Sequence, residues 1–186
     1  MGRGIQVARV FGIRILLDWS LLFLVLLVTF NLGAGLLPAW HPDWSAVLRY
    51  SVGVAAAALL LVSILLHELA HALVAKRSGV PVSSITLFLF GGMANIEREP
   101  PSAGVEFWMA VVGPIMSAAL GVGFLLVGSV LAGRTAGDLD DPEAIIRSLG
   151  PVATLFMWLG PVNLSVALFN LLPGFPLDGG LSLIHI

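Results

Sequence analysis

The sequence has no cysteine. That excludes disulfides and every cysteine-based zinc site, so any zinc here must be held by histidine and carboxylate. Charge is the second scarcity. Only 11% of residues are charged, against about 25% in an ordinary soluble domain. The net charge is −2 and no basic run occurs, so nothing suggests a nucleic-acid partner. Apolar residues take the place of charge: 58% are hydrophobic and the mean hydropathy is +1.01. A chain of 186 residues with this balance reads as one integral membrane domain in a lipid bilayer.

One stretch organises the rest: Ser63-Ile64-Leu65-Leu66-His67-Glu68-Leu69-Ala70-His71. It holds His-Glu-x-x-His inside a long apolar run. On a helix, positions i and i+4 share a face, so His67 and His71 point the same way. Two such imidazoles can bind one zinc ion, and Glu68 beside them can take a proton from water at the metal. The setting sharpens the signal. From Ser51 to Ala75 the ionisable residues are His67, Glu68 and His71 alone. Each charge at mid-bilayer costs roughly 2.5–3.5 kcal/mol on insertion scales, so an intramembrane ionisable cluster reads as functional.

Residues 1–18 mix Arg3, Arg9 and Arg14 with β-branched residues on both sides of Phe11-Gly12. A short strand or hairpin at the membrane surface fits, and so does a flexible basic leader. Trp19 to Leu36 carries no charge and is long enough for a first transmembrane helix. A proline-punctuated loop follows from Leu37 to Trp44, in which His41 is expected to be an exposed loop residue. The second helix runs from about Ala46 to Ala75 and carries the motif. Val82 to Glu97 is β-branched and aromatic around Gly91-Gly92 and predicts a β-hairpin. That hairpin either packs against the helices or offers a strand edge to an extended substrate.

Gly104 to Gly133 predicts the third helix. Gly113-Pro114 marks a kink, and Ser117 and Gly121 follow at four-residue spacing, a small-residue row that suits close helix packing. Arg134 to Arg147 is polar and net acidic. A fourth helix follows from about Leu149 to Leu172. Two prolines and three glycines then break the chain while it is still apolar, up to Asp178-Gly179-Gly180. Irregular backbone at membrane depth is tolerated where it is buried in protein or lines a cavity. The expected architecture is an α-helical polytopic membrane protein, with about four transmembrane helices and a short membrane-associated β-hairpin or sheet.

Arg3, Arg9, Arg14, Lys76 and Arg77 favour the cytoplasmic side. With four helices, the N-terminus, the end of helix two and the end of helix four share that side. His71 then lies about 7.5 Å of helix rise from Lys76. A zinc protease needs three protein ligands and one open position. Asp178 is the intramembrane carboxylate besides Glu68, so it is the expected third ligand beside His67 and His71.

His67-Glu68-Leu69-Ala70-His71 on helix two, with Asn170-Leu171-Leu172-Pro173-Gly174-Phe175-Pro176-Leu177-Asp178-Gly179-Gly180, resembles the site-2 protease family of intramembrane zinc metalloproteases. Further likeness lies in Ala8 to Ser20, in Phe90 to Glu97 and in Val112 to Ser117, and resembles the prokaryotic branch that often carries CBS domains. The resemblance spans residues 4 to 180. It implies one Zn2+ per chain on His67, His71 and Asp178, Glu68 as general base, and Asn170 holding substrate or the oxyanion. It also implies transmembrane protein substrates cut in or near their membrane segments, in a prokaryotic cell membrane. Two other readings use the same residues: a zinc-binding membrane transporter, and an inactive protease homologue that binds membrane proteins. The family pattern stops after Gly180. Leu181-Ser182-Leu183-Ile184-His185-Ile186 matches the in-frame translation of a sequencing-adapter end and is expected to be a non-native tail, so His185 is not counted as a ligand.

Overall fold

A two-residue hairpin turn of type I′ needs positive φ at both central positions, and its backbone twist matches the strands it joins. Phe11 (φ 50°) and Gly12 (φ 80°) supply it. The computed structural model, which describes residues 4–96, 98–133 and 142–171, accordingly has β1 (Ile5–Val10) and β2 (Ile13–Leu17) as an antiparallel pair. The N-terminal segment is therefore a hairpin rather than a flexible leader. Lys76 ties it down by donating to the Phe11 carbonyl at 2.7 Å.

A further pairing is not visible in local sequence. β2 runs parallel to β3 (Val82–Phe88), and β3 pairs antiparallel with β4 (Gly91–Ile96), in the order β1-β2-β3-β4. Parallel neighbours need a crossover. Here the crossover is the first two membrane spans. The expected hairpin is present, but its turn lies at Leu89 and Phe90 rather than at the two glycines. Gly91 and Gly92 begin β4, where Gly91 takes φ 138°.

The first span covers Ser20–Trp40: α1 (Ser20–Phe30), a π-helical stretch over Asn31–Leu36, and α2 (Leu37–Trp40). It is longer than expected, because the helix continues through Pro38 by way of the π-helical stretch, in which the Leu37 amide bonds back to the Leu32 carbonyl. α3 (Ala46–Arg77) begins at a Ser45 cap, whose hydroxyl accepts from the Leu48 amide, and ends on Lys76 and Arg77, which complement the helix dipole. α4 (Ala103–Ala132) passes through Pro114 as one continuous helix. The polar stretch before the last span contains α5 (Pro142–Ser148), and α6 (Pro151–Asn170) follows. Among the described residues, four helical segments are long and apolar enough to cross a membrane: Ser20–Trp40, Ala46–Arg77, Ala103–Ala132 and Pro151–Asn170.

Two buried clusters share α3. Its C-terminal half packs Leu69, Ala72 and Ala75 against Ile13, Ile15, Ile85 and Leu87 of the sheet. Its N-terminal half packs Val52, Ala56 and Leu60 against Val28 and Leu32 of the first span and Leu159 of α6. Residues 13, 15, 85 and 87 alternate along their strands, so one sheet face is the buried one. The small-residue row of α4 meets α6 closely. A Cβ on Gly121 would lie 2.9 Å from the Gly160 carbonyl oxygen.

His41 departs from expectation. It is only 2% exposed, with Nε2 2.9 Å from Thr154 Oγ1 and its ring stacked on Trp44. The end of the first span packs beneath the start of α6, and that contact, 113 residues away in sequence, buries the ring. Asp178 and the tail Leu181–Ile186 lie outside the described residues.

Candidate active site

α3 packs on the sheet through Leu69, Ala72 and Ala75 and carries the polar trio. His67 is buried, while Glu68 and His71 are half-buried. The rings of His67 and His71 meet edge to face, and their Nε2 atoms are 3.1 Å apart. Two nitrogens at 2.0–2.1 Å from a tetrahedral zinc would be separated by about 3.3 Å. The observed spacing is close to that value.

The opposite ring nitrogens are anchored by α4. His71 Nδ1 makes a short contact to the Met109 carbonyl, which can only accept, so Nδ1 carries the hydrogen and Nε2 the lone pair. His67 Nδ1 lies 2.9 Å from Ser117 Oγ. Histidines that bind metal characteristically have their second nitrogen held in this way.

Gly113 lies between these two anchors. A Cβ there would stand 2.0 Å from His71 Nε2 and 2.7 Å from His67 Nε2. The missing side chain therefore leaves space where the two Nε2 atoms converge. Met109, Gly113, Ser117 and Gly121 recur every four residues and form one face of α4. Three of them serve the histidines and the fourth serves α6. Gly113, Ser117 and Gly121 are the row expected from sequence to serve close helix packing. A row of small residues looks the same whether it admits a helix or an ion.

Glu68 faces the sheet. A Cβ on Gly92 would come within 2.3 Å of Glu68 Cγ, so β4 lies against the carboxylate side chain only because that strand position is glycine. Two clefts meet at this contact. One, of about 580 Å³, is lined by Leu24, Leu60, His67, Glu68, Val166 and Asn170 and opens among α1, α3 and α6. The other, of about 390 Å³, lies between β4 and the first turns of α4, and Glu68, His71 and Glu106 line it. Asn170 thus reaches the same cleft as His67 and Glu68, and its Nδ2 donates to the Val166 carbonyl at 2.8 Å. Among the described residues, no three His, Asp or Glu side chains gather in a way that could hold a metal. His67 and His71 offer two nitrogen donors.

Comparison with known proteins matches this picture. The chain is 39% identical over 180 residues to Rip3 of Mycobacterium tuberculosis, named as a zinc metalloprotease, covering 97% of this chain and 42% of that protein. The likeness to sll0528 of Synechocystis, also named as a zinc metalloprotease, is 39% over 97% of this chain and 43% of that protein. The chain therefore spans less than half the length of these curated relatives. Among solved structures, the site-2 protease from Methanocaldococcus jannaschii is similar at a TM-score of 0.60 and 28% identity, over 97% of this chain and 69% of that one. The family model described as peptidase family M50 matches residues 55–186, a stretch that begins inside the motif helix and takes in every residue singled out above from His67 onward. His67, Glu68 and His71 lie within the matched stretch, and by that match and its relatives this chain belongs to peptidase family M50.

Proposed function

We propose that this chain carries the catalytic core of an intramembrane zinc endopeptidase that hydrolyses peptide bonds in or near transmembrane segments of other proteins. The observation that carries the reading is the paired Nε2 atoms of His67 and His71, with Glu68 one residue from His67 and two clefts meeting at its side chain. His67, His71 and Asp178 are the proposed zinc ligands, with one ion per chain. A zinc ion held there supplies Lewis acidity and lowers the pKa of a water it binds towards ~7.

The protein's own groups do the rest. Glu68 takes the proton of the attacking water and returns it to the leaving amine. The Asn170 amide has a second hydrogen beyond the one given to Val166, and it turns to the oxygen of the scissile carbonyl as charge builds there. The apolar cleft among α1, α3 and α6 holds the membrane-embedded part of the substrate. A helical carbonyl is already hydrogen-bonded, so the substrate must be drawn out into an extended form before attack. β4 is the edge strand beside Glu68, and its backbone offers the pairing groups. We place the N-terminus and the Lys76 end of α3 in the cytoplasm of a prokaryotic cell, which sets the site near that face.

The test is cleavage of candidate single-span proteins by wild type and Glu68→Gln, in detergent with zinc. The wild type should cut and the variant should not, while both retain zinc. A zinc transporter would have no use for a general base, so Glu68→Gln with unchanged function would favour transport and end the protease reading.

A further inference from the structure

Packing explains why residue 117 is small, but not why it carries a hydroxyl. Alanine would fit the α4 row equally well and favours helix more. Ser117 is 1% exposed and His67 3% exposed, so the contact between Oγ and Nδ1 is closed to bulk water. Buried polar atoms of this kind are under pressure to be paired. The two histidines are anchored by different chemistry. A carbonyl faces His71 and can only accept, so the hydrogen of that ring is set at Nδ1. A hydroxyl faces His67 and can accept or donate, so that ring can hold its hydrogen at either nitrogen.

We infer that Ser117 is a positioning residue for the metal centre: it accepts the Nδ1 hydrogen of His67 and so aims the Nε2 lone pair at the point His71 also faces. The inference rests on the reading of His67 and His71 as metal ligands. His71 is then the ligand set in advance by backbone, and His67 the one whose orientation depends on a side chain. In the metal-binding state His67 carries its hydrogen at Nδ1, none at Nε2, and stays neutral. The hydroxyl also holds the ring plane. His67 Nδ1 otherwise faces the wall of α4, and turning the ring would carry Nε2 away from the shared point.

The test uses the whole chain in detergent, with zinc affinity read by chelator competition and the imidazole nitrogens read by 15N NMR. In zinc-loaded wild type both His67 and His71 should carry hydrogen at Nδ1. In Ser117→Ala, zinc affinity should fall roughly 10–100-fold. In the zinc-loaded variant the His67 Nδ1 resonance should move, because its acceptor is gone, while that of His71 is unchanged. Ser129→Ala removes an exposed hydroxyl of the same helix, bonded to the Leu126 carbonyl, and should change neither readout. An affinity within about two-fold of wild type would overturn the assignment, as would an unaltered His67 Nδ1 resonance in the zinc-loaded variant. If wild type showed no zinc-dependent shift at His67, the metal reading itself would fail and this assignment with it. A normal wild-type shift with an unresponsive Ser117→Ala sinks only the role of Ser117.

Discussion

At the scale of single residues, Gly113 makes the sharpest prediction. Gly113→Ala would put a methyl carbon 2.0 Å from His71 Nε2, in the space where the two imidazoles converge. The same change raises intrinsic helix propensity by about 1 kcal/mol. The expected outcome is a protein that keeps its helical circular dichroism and loses its zinc, read by metal analysis of purified material. Stoichiometric zinc in Gly113→Ala would show that the metal sits elsewhere. Asp178 makes the complementary prediction. If it is the third ligand, Asp178→Ala should lower zinc affinity sharply while His67 and His71 stay in place, and undiminished affinity would remove it from the set.

Among the elements, β4 and the end of the first span carry predictions of different kinds. Gly92→Val would push β4 away from Glu68, since even a Cβ lies 2.3 Å from Glu68 Cγ. Zinc content should survive, because the side chain that β4 presses on is Glu68, which is not among the proposed zinc ligands. Substrate cleavage should fall by at least 10-fold, on the order expected when a reacting group is misplaced by an ångström. Loss of zinc together with activity would refute the division of labour between strand and helix. His41 concerns stability. Burial between the first span and α6 pushes its pKa below the ordinary 6.5, while the nearby backbone of Arg147 pulls weakly the other way. Above about 6.5 the ring is neutral whether folded or unfolded, and its contribution is fully present. As pH falls below that value the unfolded chain takes up the proton first, so stability is lost towards the lower folded pKa. Thermal melts should therefore drop between about pH 7 and pH 5, and drop less in His41→Gln, with carboxylate effects common to both. Equal drops in both proteins would show that His41 does not sense pH.

For the molecule as a whole, the prediction is topology. The chain has no cysteine, so single cysteines report cleanly. Asp43→Cys, in the loop between α2 and α3, should react with an impermeant thiol reagent applied outside the cell, and Ser78→Cys should not. The reverse pattern would invert the orientation. Much of this architecture was legible beforehand, for a physical reason. In a bilayer the backbone must satisfy itself, so long apolar runs become helices and scarce charges mark their ends. Ala46–Arg77, Ala103–Ala132 and Pro151–Asn170 all lie close to the ranges expected from those runs. The His67-Glu68-His71 spacing was equally legible, because a helix alone decides which residues share its face. Contacts between segments far apart in sequence were not legible. Nothing local says that β2 pairs in parallel with β3 across two membrane spans, or that Thr154 buries His41. Nor does local pattern separate the two uses of the Gly113, Ser117 and Gly121 row. Small residues at four-residue spacing promise only that something comes close. Sequence by itself determined the second, third and fourth spans, the hairpin around Gly91-Gly92 and the His67-Glu68-His71 spacing, since each follows from local hydrophobicity, turn residues or helical period. Tertiary structure decided what the small residues admit: Gly121 admits the backbone of α6, Gly113 leaves room between two imidazoles, and Ser117 meets one of them with a hydroxyl, because only packing brings α4 against the motif face of α3.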